Sequence, residues 1–229
     1  GGTGIGAADP VAAVMDVAEA EGLYAHVDAA WAGAAMICPE LRPLWAGAEQ
    51  ADSLVVNPHK WLGAHFDCSI QFLKDPKDQV RTLGLRPAYL ETEGVDGIVN
   101  YSEWTVPLGR RFRALKLWFL MRAHGLEDLR RRIRDHIRWT EKAEARIDGI
   151  DGLEVVTTSR LALLTFARSA GDEATMRLLE AINDDGRTYL TPTIHEGQQV
   201  IRLTIGQFDT TEADVDLALD AVEELHRRV

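Results

Sequence analysis

Short apolar runs closed by turn residues, alternating with helical periods, constrain this sequence more than any other feature. Ser53-Leu54-Val55-Val56 reads as a short buried strand, and Pro58, with no amide hydrogen to donate, ends its regular pairing two residues on. Residues 23–27 read as a strand closed by Asp28, and residues 68–73 as another. Residues 10–21 have helical periodicity, with Pro10 in the first turn and Gly22 as terminator. Between the first two strands, residues 29–50 are rich in Ala and broken by Gly33, Pro39, Pro43 and Gly47, which predicts an irregular crossover with one short helix. This alternation predicts a mostly parallel sheet with helical crossovers, so the class is α/β.

From about residue 83 to 107 no period persists, and Gly84, Pro87, Gly94, Gly97 and Pro107 punctuate the stretch. A loop of that length in a compact domain is expected to be functional or mobile. Two helices follow, 110–124 and 127–146, split at Gly125. Strands at 153–157 and 161–167, a helix at 173–182, strands at 188–194 and 199–205 and a helix at 211–228 complete the pattern, with Asp209-Thr210-Thr211-Glu212 supplying caps. The expected division is residues 1–125 as part of a large domain, including a loop at 84–107, and residues 126–229 as a linking helix and small α+β domain.

Charge and cysteine content narrow the function classes. A formal net charge of -11 argues against a nucleic-acid partner, and the cluster Arg130, Arg131, Arg132, Arg134 and Arg138 reads as the solvated face of a helix. Charge interrupts every apolar stretch well before the roughly 20 residues a bilayer span requires, so no membrane association is expected. Cys38 and Cys68 are the only cysteines, fit a reducing, cytoplasmic setting, and read as small core residues. His26 stands two residues before Asp28, but no further ligand falls at metal-binding spacing, so it reads as a core or crevice-lining residue and no metal is expected. His195 reads as part of a hairpin turn, and Trp118, Phe119 and Trp139 as helix core residues. The chain opens Gly1-Gly2-Thr3, without Met, and reads as if entered within a domain. Its Gly-rich start lacks the G-x-G-x-x-G spacing and a preceding strand, which excludes a dinucleotide fingerprint.

The chemistry centres on two strand ends. Asp28 closes Y-A-H-V-D, and Lys60 follows L-V-V-N-P-H. Open α/β sheets bind ligands beyond the carboxyl ends of their strands, so both side chains are expected to face one crevice. A carboxylate and an amine about one crossover apart are what pyridoxal 5'-phosphate requires: the lysine forms a Schiff base, and the aspartate keeps the pyridine nitrogen protonated.

The motifs H-V-D-A-A-W-A-G (26–33), I-C-P-E-L-R (37–42), A-D-S-L-V-V-N-P-H-K-W-L (51–62), F-D-C-S (66–69) and P-L-G-R-R-F-R-A-L-K-L-W-F (107–119) are long and correctly ordered. They resemble the pyridoxal phosphate-dependent group II decarboxylases, and most closely the aromatic L-amino acid decarboxylases. Y-L-T-P-T and V-I-R-L-T-I-G resemble the same family more loosely. The resemblance implies a fold-type I α/β architecture and decarboxylation of an L-amino acid, aromatic by preference, to the amine and carbon dioxide. It implies that Lys60 is the Schiff-base lysine, Asp28 the carboxylate on the pyridine nitrogen and Ala30 the small residue packed against the ring. By the same comparison His59 and Asn57 lie beside the cofactor and its phosphate, Thr3 belongs to a segment that contacts it, and Gly109 approaches the phosphate of a partner subunit. Tyr101, in N-Y-S-E-W, matches the loop tyrosine that returns a proton to the substrate carbon after carbon dioxide leaves. Family members are about twice this long, so the resemblance also implies an N-terminal half, as a further segment or separate chain, and a dimer of complete units. The resemblance admits two other readings: an aldehyde synthase, in which the loop tyrosine is lost, and a non-catalytic assembly partner related to decarboxylases. Retention of Tyr101 argues against the first, and intact Asp28, His59 and Lys60 argue against the second.

Overall fold

The computed structural model describes residues 2–84, 99–158 and 160–229. Helix α1 (Val11–Ala20) precedes strand β1 (His26–Asp28), which pairs parallel with β2 (Ser53–Val56); β2 pairs antiparallel with β3 (Ile70–Leu73). The β1 to β2 crossover contains three short 3-10 helices, Ala32–Ile37, Pro39–Trp45 and Ala48–Gln50, where the sequence predicted one short helix. Pro39 starts the second helix and, with Pro43 inside it, removes donors a continuous α-helix needs, while Gly47, at φ 93°, separates the second from the third.

Helix α2 (Pro76–Leu83) was not expected from periodicity, yet its start is written locally: the Asp75 carboxylate accepts from the Lys77 amide at 2.9 Å, and Pro76 takes the first helical position. Helix α3 (Ala114–Asp148) spans the two predicted helices and the expected boundary at 125/126, and Gly125 (φ 73°, ψ 164°) breaks it where the split was placed.

Beyond α3, strands β4 (Leu153–Thr157), β5 (Leu163–Arg168), β6 (Thr191–His195) and β7 (Gln198–Thr204) form an antiparallel sheet in the order β4-β5-β7-β6. His195 is the last residue of β6, paired with Gln198 across a two-residue turn in which Glu196 and Gly197 both have positive φ. Helices α4 (Asp172–Asp185) and α5 (Glu212–His226) pack on this sheet with the second half of α3. Thr211 caps α5 in a reciprocal capping box with Asp214. Leu164 and Phe166 of β5 face this core with Ile147, Leu178, Ile182, Ile201, Leu219 and Val222. The opposite face of β5 is also covered: a Cβ at Gly6 would meet Leu163 at 3.1 Å, and Thr157, bonded to Thr165, donates to the Ile5 carbonyl. Burial on both faces is why β5 reads as a continuous apolar run.

Two expectations are corrected here. The arginine cluster is not simply a solvated face: Arg130 Nε donates to the Ile37 carbonyl at 2.7 Å, an Arg132 guanidinium nitrogen donates to the Leu62 carbonyl at 2.8 Å, and Arg134 makes a two-point contact with Glu40 at 2.6 and 3.0 Å. Within their own helix Arg130, Arg131 and Arg138 also pair with Glu127, Asp128 and Asp135. Trp118 and Phe119 are not core residues but 51% and 56% exposed, because the inward stripe of this half-helix is Leu117 and Leu120. Trp139 is buried.

Phe166 is fully buried at the centre of the C-terminal core. Phe166→Ala is expected to cost about 3–5 kcal/mol, read as a lowered urea midpoint at unchanged slope.

Candidate active site

The parallel ladder between β1 and β2 continues past the strand ends. The Ala29 amide donates to the Val55 carbonyl at 3.0 Å, and the Asn57 amide donates to the Ala30 carbonyl at 2.8 Å. These bonds set Asp28-Ala29-Ala30 beside Val55-Val56-Asn57, so the aspartate and the segment leading to the lysine share one rim. Asp28 Oδ1 accepts from the Ala30 amide at 2.9 Å, which fixes the carboxylate while Oδ2 has no partner among the described residues.

Pro58 ends the strand and the chain turns at once. The Lys60 amide donates to the Asn57 carbonyl at 2.9 Å, and the Gly63 amide to the Lys60 carbonyl at 3.1 Å. This tight turn places the Lys60 side chain outward, exposed and without a hydrogen-bond or ion-pair partner among the described residues. His59 is held from the other side. Its Nδ1 lies 2.7 Å from the Cys68 carbonyl and 3.1 Å from the Cys68 amide, so both contacts use one ring nitrogen and leave Nε2 for another partner. Phe66 meets the imidazole edge-on at 4.9 Å.

The Cys68 turn is clamped by the start of α3. Arg113 Nε donates to Asp67 Oδ1 at 3.1 Å, and Lys116 Nζ donates to the His65 and Asp67 carbonyls. The Arg113 guanidinium holds the Asp67 carboxyl below its usual range. Burial pushes the Cys38 and Cys68 thiols up, which keeps both protonated and unreactive at neutral pH.

The residues of the rim fit pyridoxal phosphate on their own chemistry. Among the described residues they present one unpaired amine, one half-satisfied carboxylate, a small side chain at Ala30, and Asn57 Oδ1, which is buried with no hydrogen-bond partner. A buried amide oxygen left unsatisfied is costly unless a ligand or water completes it.

Tyr101 opens a 3-10 turn (Tyr101–Glu103), is 73% exposed and has its ring 6.3 Å from that of Trp104, whose carbonyl accepts from Gln79 of α2. No hydrogen bond or ring contact joins it to Asp28, His59 or Lys60 among the described residues. A Cβ on Gly109 would have open space around it. Thr3 sits against the C-terminal sheet: Arg202 of β7 donates to the Thr3 and Gly4 carbonyls. Gly94 and Gly97, on which the mobile-loop expectation rests, lie outside the described residues.

Sequence reasoning missed how residues far along the chain pack against the lysine turn. Gly63 (φ 87°) faces Phe208 so closely that a Cβ there would come within 1.9 Å of the ring, and the Arg132 guanidinium lies 3.5 Å above the same ring. Trp61 is fully buried and donates from Nε1 to His136 Nδ1 at 2.9 Å. The isolated Gly63 was the one local signal of a close approach.

Fold and rim together define an α/β protein of the fold-type I pyridoxal phosphate class. A family model described as "Pyridoxal-dependent decarboxylase conserved domain" matches residues 1–168, and the chain belongs to that family. It is 40% identical to a histidine decarboxylase of Drosophila melanogaster (84% of this chain, 23% of the relative). It is 36% identical both to a phenylacetaldehyde synthase of Arabidopsis thaliana (98% and 48%) and to an aromatic-L-amino-acid decarboxylase of Manduca sexta (94% and 42%). The solved structure of Oryza sativa TDC with PLP and tryptamine superposes with a TM-score of 0.95 at 35% identity, covering 100% of this chain and 49% of that one. The chain therefore spans half or less of the length of these relatives.

Burial, followed by the nearby Arg132 charge, pushes the His136 pKa down from 6.5 to about 4. Because the unfolded chain takes up the proton first, this histidine lowers stability as pH falls below 6.5, and the loss is complete near pH 4. The difference in urea-derived stability between the wild type and His136→Leu is expected to change across that window by on the order of 3 kcal/mol, with the wild type losing more toward acid.

Proposed function

We propose that this chain carries the catalytic lysine of a pyridoxal phosphate-dependent enzyme that removes the α-carboxylate of an aromatic L-amino acid, releasing the amine and carbon dioxide. It acts with an N-terminal half of the kind its relatives contain, as a dimer of complete units. The observation that carries the reading is the ladder that sets the half-satisfied Asp28 carboxylate beside the turn bearing the unpaired Lys60 amine. Names among the relatives support an aromatic substrate: an aromatic-L-amino-acid decarboxylase and a phenylacetaldehyde synthase. Exposed Phe112, Trp118, Phe119 and Met121 along one stretch support burial of that surface in an assembly. Two free, buried cysteines support a reducing, cytoplasmic setting. Among the described residues no helix is long and apolar enough to cross a membrane.

Bound pyridoxal phosphate would supply an electron-withdrawing pyridinium ring able to accept the electron pair left on the α-carbon when carbon dioxide departs. Lys60 supplies the amine that tethers it. Asp28, with Oδ1 occupied by the Ala30 amide, keeps its free oxygen to hold a proton on the pyridine nitrogen by charge pairing. Ala30 leaves room for the ring, and Asn57 Oδ1 and His59 Nε2 are the polar atoms available beside it. Thr3 and Gly109 are the remaining residues assigned to cofactor contact, and both depend on the complete assembly. Tyr101 is assigned as the acid that returns a proton to the substrate α-carbon.

Adding pyridoxal phosphate to the complete enzyme is expected to produce a visible absorption band that is absent in Lys60→Ala. Retention of the band in that variant would overturn the reading. Turnover should be measured on tyrosine, tryptophan and phenylalanine against histidine, and a preference for histidine would refute the aromatic assignment.

The aldehyde synthase among the relatives makes the fate of the α-carbon the second test. Tyr101→Phe is expected to keep carbon dioxide release while amine output falls at least about tenfold, a barrier change of about 1.4 kcal/mol. Molecular oxygen then takes two electrons from the unprotonated carbon and becomes hydrogen peroxide, and water hydrolyses the oxidised carbon–nitrogen bond to aldehyde and ammonia. Amine and peroxide assayed together decide it: amine at the wild-type rate with no peroxide places the acid elsewhere.

A further inference from the structure

The two strand-end residues are joined by a second route that uses side chains. Trp31 follows Asp28 by three residues and Trp61 follows Lys60 by one. Their indoles stack face to face, with centroids 4.4 Å apart and planes 7° from parallel. A Cβ at Gly206 would come 3.6 Å from Trp31 Nε1 and 3.7 Å from Trp61 Cδ1, so the chain just after β7 backs both rings. Trp61 is fully buried, and its only polar atom donates to His136 Nδ1 at 2.9 Å. His136 lies on α3, is itself fully buried and stands 5.6 Å from the Trp139 ring.

Accepting at Nδ1 requires the neutral imidazole with its hydrogen on Nε2. Burial and the Arg132 charge keep the ring neutral at neutral pH, against the weaker opposing pull of Asp135. Nε2 is buried and has no hydrogen-bond partner among the described residues. A side chain present only to fill space would be aliphatic and leave no orphaned donor. What the histidine offers Trp61 that a leucine could not is an acceptor for the indole hydrogen.

We propose that His136 is a positioning residue for the strand-end pair: by accepting the indole hydrogen of Trp61 it locks the Trp31–Trp61 stack and so holds Asp28 and Lys60 in their relative setting. The inference rests on the cofactor role given above to Lys60 and Asp28. The stack acts as a splint between the two backbone segments. Without its polar anchor the Trp61 ring gains rotational freedom, and the lysine turn, one bond away, gains it too.

The test uses the complete, cofactor-loaded enzyme. Stacked indoles give an exciton couplet in far-ultraviolet circular dichroism, and this reports the splint with or without cofactor. His136→Leu is expected to weaken the couplet, shift the pH midpoint of the visible cofactor band and lower kcat by about tenfold with KM within about twofold. His136→Asn offers a carbonyl oxygen near the place of Nδ1 and is expected to restore all three. Trp61→Phe keeps an aromatic ring and removes the N–H, so it should reproduce the midpoint shift even if His136→Leu fails to fold. Where both fold, the double variant should lose no more than either single one. The proposal is overturned if Leu and Asn at position 136 behave alike, if the midpoint stays at the wild-type value, or if the losses from Trp61→Phe and His136→Leu add. Loss of the visible band in Lys60→Ala with a normal His136→Leu refutes only the positioning role. Retention of the band in Lys60→Ala refutes the function on which it rests.

Discussion

Two backbone hydrogen bonds beyond the end of β1, from Ala29 to Val55 and from Asn57 to Ala30, set the geometry on which the site depends. A parallel pair ends both strands on one edge, and amides that have finished pairing must find new partners there. Here the first amide after Asp28 continues the ladder, and the next turns back to the carboxylate. On β2 the proline forbids further pairing, so the chain folds into the Asn57–Lys60 turn. The rim is thus a product of strand termination, with a carboxylate and an ammonium left where backbone structure stops.

Holding that rim falls largely to α3. Its arginines reach carbonyls that helices and turns leave without partners: Ile37 ends a 3-10 helix, and Leu62 follows the lysine turn. A guanidinium suits this task because several donors project from one rigid plane. Arg132 does two things at once, donating to Leu62 and covering the Phe208 ring. Burial lowers its pKa to about 10, which leaves it charged at neutral pH. Phe208 in turn lies against Gly63, so the segment after β7, the long helix and the lysine turn meet at one aromatic ring.

Where sequence and structure agree, the signals were local. The Gly125 break, the capping box at Thr211 and the strand runs at β2 and β5 each depend on a few adjacent residues. Helix α2 was missed although Asp75-Pro76 marks its start, because its single short turn of apolar residues carries little period. The arginines on α3 and the exposed Trp118 and Phe119 were misread for the opposite reason. Their environment depends on which face of α3 meets residues 29–62, and a helical period fixes spacing but not the identity of the facing partner. Of the candidate site, Asp28, Ala30, Asn57, His59 and Lys60 lie together on the rim. Thr3 is placed against the C-terminal sheet, Tyr101 makes no hydrogen bond or ring contact with Asp28, His59 or Lys60 among the described residues, and Gly109 has open space where a Cβ would stand.

The amino-acid sequence by itself determined the α/β alternation, the strand ends that carry Asp28 and Lys60, and the motifs that mark the family. All of these follow from short-range rules: proline stops a ladder, alternation sets a period, and a motif is a run of neighbours. Only the tertiary structure decided that Trp31 and Trp61 stack, that His136 anchors that stack, and that Arg132 and Phe208 brace the lysine turn. These contacts join residues 30 to 145 positions apart. They exist because close packing leaves each buried side chain one set of neighbours, and that set is fixed by how β1, β2, α3 and the end of β7 come together in space.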